Sequence, residues 1–142
     1  MPTEISDRQS ALKCPRAAIR RTVAAALRRE GRRADLSIAV VGDREMSQLN
    51  ERYLRHAGST DVLAFPYETE GDCIRGEIVV NAERAVAEAQ GRQHSAEAEL
   101  MLYVVHGLLH LLGCDDGRPA ARREMRRREA ELLAAAGYEV DF

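Results

Sequence analysis

Apolar positions in the first half of the chain recur at helical spacing in two segments. The spacing from Pro15 to about Glu30 predicts a helix that ends at Gly31. The residues expected to face the core from this helix are Ala17, Ala18, Val23, Ala24 and Leu27. A second helix is predicted over 44–55, and Asp43 is suited to cap its first turn.

Other apolar residues form short unbroken runs bounded by glycine or proline, which is typical of β-strands. Strands are predicted at 36–42, 61–68 and 76–81. The run that contains Pro66 is expected to end near a sheet edge, because proline cannot donate a ladder hydrogen bond. Residues 56–60 are expected to form a loop, and 68–73 a turn.

The second half of the chain is predicted to be mainly helical. Helices are predicted over 82–91, from Ser95 to Leu112, and over about 119–136. Gly113 and Gly137 follow the last two, as is typical of helix ends. Residues 100–112 are apolar nearly all round, which indicates a buried helix. The element order predicts an α+β fold, a single small domain over residues 1–142 whose three- to four-stranded mixed sheet is covered by helices.

Two histidines, His106 and His110, lie four residues apart near the end of this buried central helix. At that spacing the two side chains share one helix face, so both imidazoles can bind one metal ion. Gly113 permits a sharp turn that would bring Asp115 or Asp116 to the same ion. Two histidines and a carboxylate leave a position open for water, which is typical of a catalytic zinc site.

The spacing alone leaves other interpretations of these histidines open. Buried histidines also occur as hydrogen-bonded core residues without a metal. A metalloprotease would have a glutamate as general base directly after the first histidine, whereas Gly107 stands there. Cys114 is expected to be a small packed residue rather than a ligand.

The charge of the chain is nearly balanced, at −2, which excludes a uniformly basic nucleic-acid binder. Every basic residue except Lys13 is an arginine, which suits bidentate phosphate contacts but is also common in proteins of GC-rich genomes. The six arginines within 118–129 are expected to form mainly a solvated helix face. Aromatic residues make up only 4% of the chain, so base stacking is expected to contribute little.

The remaining composition bears on compartment rather than chemistry. The three cysteines are widely spaced, which predicts neither a disulfide framework nor a cysteine zinc site. The chain has no apolar run of about 18 residues, and its N-terminal segment lacks the pattern of a secretory leader. A cytoplasmic protein without membrane contact is therefore expected.

Four segments of the sequence together resemble one known family. HGLLHLLGCDD at 106–116 resembles the H-G-x-L-H-L-x-G-Y-D-H signature of the YbeY family, the bacterial endoribonucleases of ribosomal RNA maturation. LNERY at 49–53, STDVLAFPYE at 59–68 and GEIVVN at 76–81 are similar to three further family segments in the same order. The matched segments span about residues 36–117, more than half of the chain.

The resemblance implies one zinc ion per chain, which the family holds with three histidines. By position the metal ligands in this chain are His106, His110 and Asp116, so a carboxylate replaces the third histidine. The added negative charge is expected to make the site more tolerant of Mn²⁺. Asp115 corresponds to a family aspartate that is expected to orient a ligand.

A second departure concerns the arginine that usually follows the tyrosine of L-N-x-x-Y in the family and is expected to contact phosphate. Leu54 stands at that position, and Arg55, one residue later, is the candidate catalytic replacement. Successive residues of a helix are rotated by about 100°, so Arg55 is not an automatic substitute for the family arginine, but it can compensate if the loop 56–60 begins early. The resemblance also makes Thr60 and Asp61 candidates for substrate binding, with turn and cap roles as the alternative.

The resemblance implies a metal-dependent endoribonuclease of single-stranded RNA that acts at the 3′ end of 16S rRNA and in ribosome quality control. The implied partners are ribosomal RNA, the small ribosomal subunit and ribosome-associated proteins. Two alternatives stay open. One is a non-catalytic ribosome-assembly factor on the same fold; the other is a metal-dependent hydrolase of another substrate, which would need a general base that the sequence does not show.

Overall fold

The computed structural model describes residues 3–69 and 71–141. The elements in chain order are β1 (Thr3–Arg8), α1 (Arg16–Glu30), β2 (Arg33–Val41), α2 (Asp43–Leu54), β3 (Val62–Pro66), β4 (Cys73–Asn81), α3 (Ala82–Gln90), α4 (Ala96–Leu111) and α5 (Pro119–Ala135). The predicted α+β class is confirmed. Among the described helices, none combines the length and apolarity needed to cross a membrane.

The four strands form one mixed sheet in the order β1-β2-β4-β3. β2 is parallel to both of its neighbours, and β3 runs antiparallel to β4 at the edge. Side chains alternate between the two faces of the central strands. Ile38 and Ile78 belong to the main core with α1, α4 and α5, whereas Ala39 and Val79 pack with Met46 of α2 on the other face. Helices therefore cover both faces of the sheet.

The structure contains a strand, β1, that the sequence did not predict. Its sequence, TEISDR, carries one aliphatic residue, Ile5, and most of its side chains are exposed. A pattern of hydrophobic positions cannot reveal such a strand, because β1 is held by backbone pairing with β2, in which Ile5 lies opposite Ile38.

The α1 helix forms as predicted, and Gly31 ends it in a left-handed conformation with φ of 64°. The predicted core face is partly wrong. Ala17 and Ala24 are exposed, and Ile19 and Ala26 are buried in their place. Small alanines occur on every side of this helix, so the apolar pattern did not define which face meets the sheet.

The predicted capping role of Asp43 is also wrong, because Gly42 is the N-cap of α2. The Asp43 carboxylate instead accepts hydrogen bonds from Asn81 Nδ2 at 2.6 Å and Ser59 Oγ at 3.0 Å. Asn81 is fully buried and also donates to the Thr60 carbonyl oxygen at 3.1 Å. This network fixes the loop before β3 against the end of β4.

The α4 helix is the buried centre of the fold, as predicted. Ser95 caps it by accepting a hydrogen bond from Ala98 N at 3.1 Å. The helix packs against β3, β4, α3 and α5, and 11 of its residues are buried. It ends at Leu111, and Gly113 then adopts a φ of 97°, which turns the chain back beside the helix. His106 and His110 lie near this end.

Candidate metal centre

The last two turns of α4 and the turn that follows bring three potential metal ligands together. His106 Nε2 lies 3.1 Å from His110 Nε2, and Asp116 Oδ2 lies 3.6 Å and 3.5 Å from these two nitrogens. Tetrahedral zinc with bonds of about 2.0–2.1 Å separates its ligand atoms by about 3.3 Å. The three distances bracket that value, so the donor atoms fit a zinc-sized ion in both chemistry and spacing.

A carboxylate behind His106 completes the arrangement. Glu129 of α5 contacts His106 Nδ1 through Oε2, and its side chain is only 1% exposed. A partner on Nδ1 fixes the ring orientation and leaves Nε2 free to act as a ligand. Carboxylate–histidine pairs of this kind are common beside protein-bound metals, so Glu129 supports the metal interpretation independently of the three ligands.

The contact with Glu129 also affects the pKa of the His106 imidazole. Burial is the largest single effect and by itself would lower the pKa of this imidazole. The hydrogen bond and charge of Glu129, with smaller contributions from Asp116 and Asp61, outweigh burial, and the net effect raises the pKa. The neighbouring carboxylates therefore favour a positive charge at His106.

Gly107 explains why this helix cannot carry a protease-type base. A Cβ atom at this position would meet Ile78 Cγ2 at 2.7 Å and Val62 Cγ2 at 3.2 Å. The helix approaches the sheet too closely for any side chain here. A glutamate after the first histidine is thus sterically excluded, which argues against metallopeptidase chemistry.

The side chains of His106 and His110 line a cleft of about 440 Å³ between α4, β3 and the end of α2. Its walls include Leu54, Asp61 and Pro66. A smaller polar cavity of about 150 Å³ lies on the other side of His106, lined in part by Asp61, Glu129 and Tyr103. Two buried atoms of these residues, Tyr103 OH and Glu129 Oε1, have no hydrogen-bond partner among the described residues.

Arg55, the candidate catalytic arginine, is the C-cap of α2 in a left-handed conformation with φ of 56°. The helix does end early, as the hypothesis of compensation required. Of the described residues, those that line the metal cleft include Leu54 and not Arg55. Leu54 is 45% exposed and contributes an apolar wall where the family resemblance expects a guanidinium.

Thr60 and Asp61 lie at the start of β3, held by the Asn81 network. Thr60 Oγ1 donates to Asp61 Oδ1 at 3.3 Å, and the same carboxylate oxygen accepts from Val62 N at 2.8 Å. These contacts are turn and cap interactions, which matches the alternative role considered for both residues. Asp61 also lines both cavities beside His106, whereas Thr60 lines neither of them.

Asp115 and Cys114 occupy the turn between α4 and the third ligand. Asp115 Oδ1 accepts a hydrogen bond from Gly117 N at 2.9 Å, which stabilises the turn that presents Asp116. Cys114 Sγ accepts from Arg128 Nη1 at 2.6 Å, and burial raises the pKa of its thiol. Burial and the charge of Glu124 disfavour the thiolate form, which is the form that binds a metal.

Sequence reasoning missed Glu129. The residue lies within an arginine-rich segment that was interpreted as a solvated helix face. A signal was nevertheless present, because Glu129 shares its helix face with Met125, Leu132 and Leu133, all of them buried. A carboxylate on the apolar face of an amphipathic helix requires a buried partner.

Comparisons with known proteins agree with the resemblance. A family model described as Endoribonuclease YbeY matches residues 4–137. Proteins of that name are 43% identical over 106 residues in an Anaeromyxobacter species and 37% identical over 122 residues in Carboxydothermus hydrogenoformans. These matches cover 73% and 85% of this chain, respectively. They cover 55% of the Anaeromyxobacter protein and 85% of the Carboxydothermus protein, so the chain spans little more than half the length of the former.

A solved structure shares the fold. The solution structure of TM1509 from Thermotoga maritima matches with a TM-score of 0.67 at 22% sequence identity. The match covers 95% of this chain and 89% of the other. At this level of identity the comparison bears on the architecture alone.

Proposed function

This chain belongs to the YbeY endoribonuclease family, and on that premise we propose that it is a metal-dependent endoribonuclease that cleaves single-stranded RNA during ribosomal RNA maturation. The observation that carries the proposal is the cluster of His106, His110 and Asp116 at the edge of an open cleft. Processing of the 3′ end of 16S rRNA, a role in ribosome quality control and a cytoplasmic location are parts of the same proposal. The proposed partners are ribosomal RNA, the small ribosomal subunit and ribosome-associated proteins.

The residues that would hold the ion are His106, His110 and Asp116. When bound, a divalent ion supplies Lewis-acid stabilisation of phosphoryl charge and lowers the pKa of water. Zn²⁺ suits two imidazoles and one carboxylate, and the carboxylate makes Mn²⁺ a reasonable second candidate. The chain itself contributes ligand orientation through Glu129 on His106 Nδ1.

Substrate positioning is the second contribution of the chain. The cleft of about 440 Å³ is walled by apolar side chains of β3 and by Leu54 beside the two histidines. Asp61 faces the cleft beside His106. Its negative charge repels phosphate, so its proposed role is to accept a hydrogen bond from a ribose hydroxyl or a base.

One observation favours a second candidate function, a ribosome-assembly factor that binds without cleaving. Leu54 places an apolar side chain in the cleft where the family resemblance expects an arginine, and the described lining of the cleft contains no arginine. Phosphoryl transfer depends strongly on cationic groups near the developing charge. Such a factor would keep the fold and the metal centre and would bind RNA without cutting it.

Metal content by mass spectrometry tests the site first. We expect about one ion per chain in the purified protein and its loss in both His110→Ala and Asp116→Ala. Asp72→Ala is the matched control, because it removes an exposed carboxylate that pairs with Arg33 away from the site, and it should retain the ion. A chain that holds no ion and takes up neither Zn²⁺ nor Mn²⁺ would rule out the metallonuclease.

A further inference from the structure

Three depressions adjoin one another on the surface: the metal cleft, a second one beside it, and a third one lined by arginines. Pro66 lines both the metal cleft and a second depression of about 370 Å³. Leu49 lines both this second depression and a third one of about 830 Å³. Because neighbouring depressions share a wall residue, they lie side by side along α2 and β3, and together they are here named the α2–β3 groove.

The middle of the α2–β3 groove is an aromatic platform. Tyr53, Phe65 and Tyr67 meet there, and the rings of Tyr53 and Phe65 pack edge to face with centroids 5.7 Å apart. Tyr53 is 56% exposed and Tyr67 is 53% exposed. Among the described residues, the exposed large apolar side chains are these two tyrosines and Leu54, and all three line the groove. Such a concentration marks a binding surface.

The far end of the α2–β3 groove is basic. Arg8, Arg44 and Arg52 line the third depression, against two glutamates, Glu45 and Glu83. Arg8 is paired with Glu45 at 2.7 Å. The Arg52 guanidinium carbon lies 5.5 Å from the centre of the Tyr53 ring, so this cation borders the aromatic platform directly.

We propose that the α2–β3 groove binds a single RNA strand, with bases stacked on Tyr53 and Tyr67 and a phosphate near Arg44 and Arg52. The inference rests on the proposed function and adds a subsite to it. Exposed aromatic rings beside arginines are the combination that holds unpaired bases and their backbone. A duplex hides the faces of its bases, so this surface selects single strands.

The proposal runs against an expectation drawn from composition. The low aromatic content predicted a small role for base stacking, yet three of the six phenylalanine and tyrosine residues gather on this one surface. Composition counts residues but does not locate them. Tyr53 lies at the end of α2, Phe65 in β3 and Tyr67 just beyond it, and only the sheet edge brings them together.

The test is RNA binding in the presence of a chelator, which keeps the probe intact. The probes are a fluorescent single-stranded oligoadenylate and a strand of equal length with abasic positions. We expect Tyr53→Leu and Tyr67→Leu each to weaken oligoadenylate binding about 10-fold, equivalent to about 1.4 kcal/mol. Tyr67→Phe keeps the ring and should bind as the wild type does. The abasic strand should bind weakly to the wild type and to both leucine variants alike.

Controls separate stacking from charge and from misfolding. Arg123→Ala removes one exposed arginine from α5 and should leave binding unchanged, whereas Arg52→Ala should weaken it. Thermal unfolding of each variant checks that the fold is intact. If both leucine variants bind oligoadenylate as tightly as a wild type that cleaves RNA, the stacking subsite is overturned and the proposed function stands. A wild type that binds no RNA overturns both.

Discussion

Glu129 contacts Nδ1 of His106, while Nε2 of the same ring faces His110 and Asp116. The two residues lie on different helices and are 23 positions apart in sequence. Packing of α5 against α4 therefore determines which nitrogen of His106 is presented to an ion. The candidate metal centre therefore depends on the tertiary fold, although its three potential ligands come from one short motif.

Replacing Glu129 with glutamine is predicted to weaken metal binding while keeping the side-chain volume. An amide can donate to Nδ1, which would place the proton of His106 on Nε2 and block the ligand. We expect Glu129→Gln to lower zinc affinity about 10- to 100-fold in competition with a chromogenic chelator. Glu124→Gln is the matched control, since Glu124 lies on the exposed face of the same helix. Equal affinities in the two variants would show that the Glu129 contact does not matter.

Replacing Asp116 with histidine is predicted to change which metal the site prefers. The variant has three imidazole ligands and one negative charge fewer, which favours Zn²⁺ over the harder Mn²⁺. The ratio of zinc to manganese affinity, measured by competition titration, should rise by about 10-fold or more, the effect of about 1.4 kcal/mol. An unchanged ratio would mean that Asp116 is not a ligand.

Substitutions at Leu54 and Arg55 are predicted to affect different properties, RNA binding in the first case and stability in the second. Leu54→Arg places a guanidinium in the metal cleft and should strengthen RNA binding, with a salt dependence steeper by about one phosphate contact. Arg55→Gly should raise the free energy of unfolding by about 1 kcal/mol, because glycine adopts the left-handed conformation without strain. Denaturant unfolding and binding at several salt concentrations measure both effects. A large loss of RNA binding in Arg55→Gly would assign Arg55 the substrate role.

The raised pKa of His106 predicts a pH dependence of the metal-free protein. Its neighbours Glu129, Asp116 and Asp61 favour the charged imidazole in the folded state. This contribution to stability is complete below the ordinary histidine pKa of 6.5 and is lost as the pH rises through the raised folded value. Urea unfolding after chelation should therefore show a stability component that declines above about pH 6.5 and is absent in His106→Gln. A component that instead grows with pH would contradict the assignment.

Local signals made part of this structure predictable. One helix contains the apolar stretch that follows Ser95 and the two histidines one turn apart. The sequence therefore predicted both the buried helix and its candidate metal motif. The turn at Gly113 likewise follows from a property of that residue, its access to positive φ. Such features need no information from distant parts of the chain.

What the sequence did not predict depends on tertiary contacts. β1 has few apolar residues and exists through pairing with β2. Glu129 gains its role only where α5 meets α4, and the aromatic platform forms only where α2 meets β3. The place of Leu54 in the cleft follows from the end of α2 at a left-handed residue, which is arginine rather than the usual glycine. The pattern of hydrophobic positions marks Glu129 as a carboxylate that needs a buried partner, but it identifies neither that partner nor the other approaches.

Cleavage of a labelled single-stranded RNA tests the central claim most directly. The wild type loaded with Zn²⁺ or Mn²⁺ should cut the strand, a chelator should abolish cleavage, and restoring the ion should recover it. His110→Ala and Asp116→Ala should be inactive under all of these conditions, whereas Asp72→Ala, which removes an exposed carboxylate away from the site, should retain activity. Cleavage that survives both the chelator and loss of His110 would contradict a metal-dependent nuclease. A metal-loaded wild type that binds the strand and leaves it intact would instead identify the assembly factor.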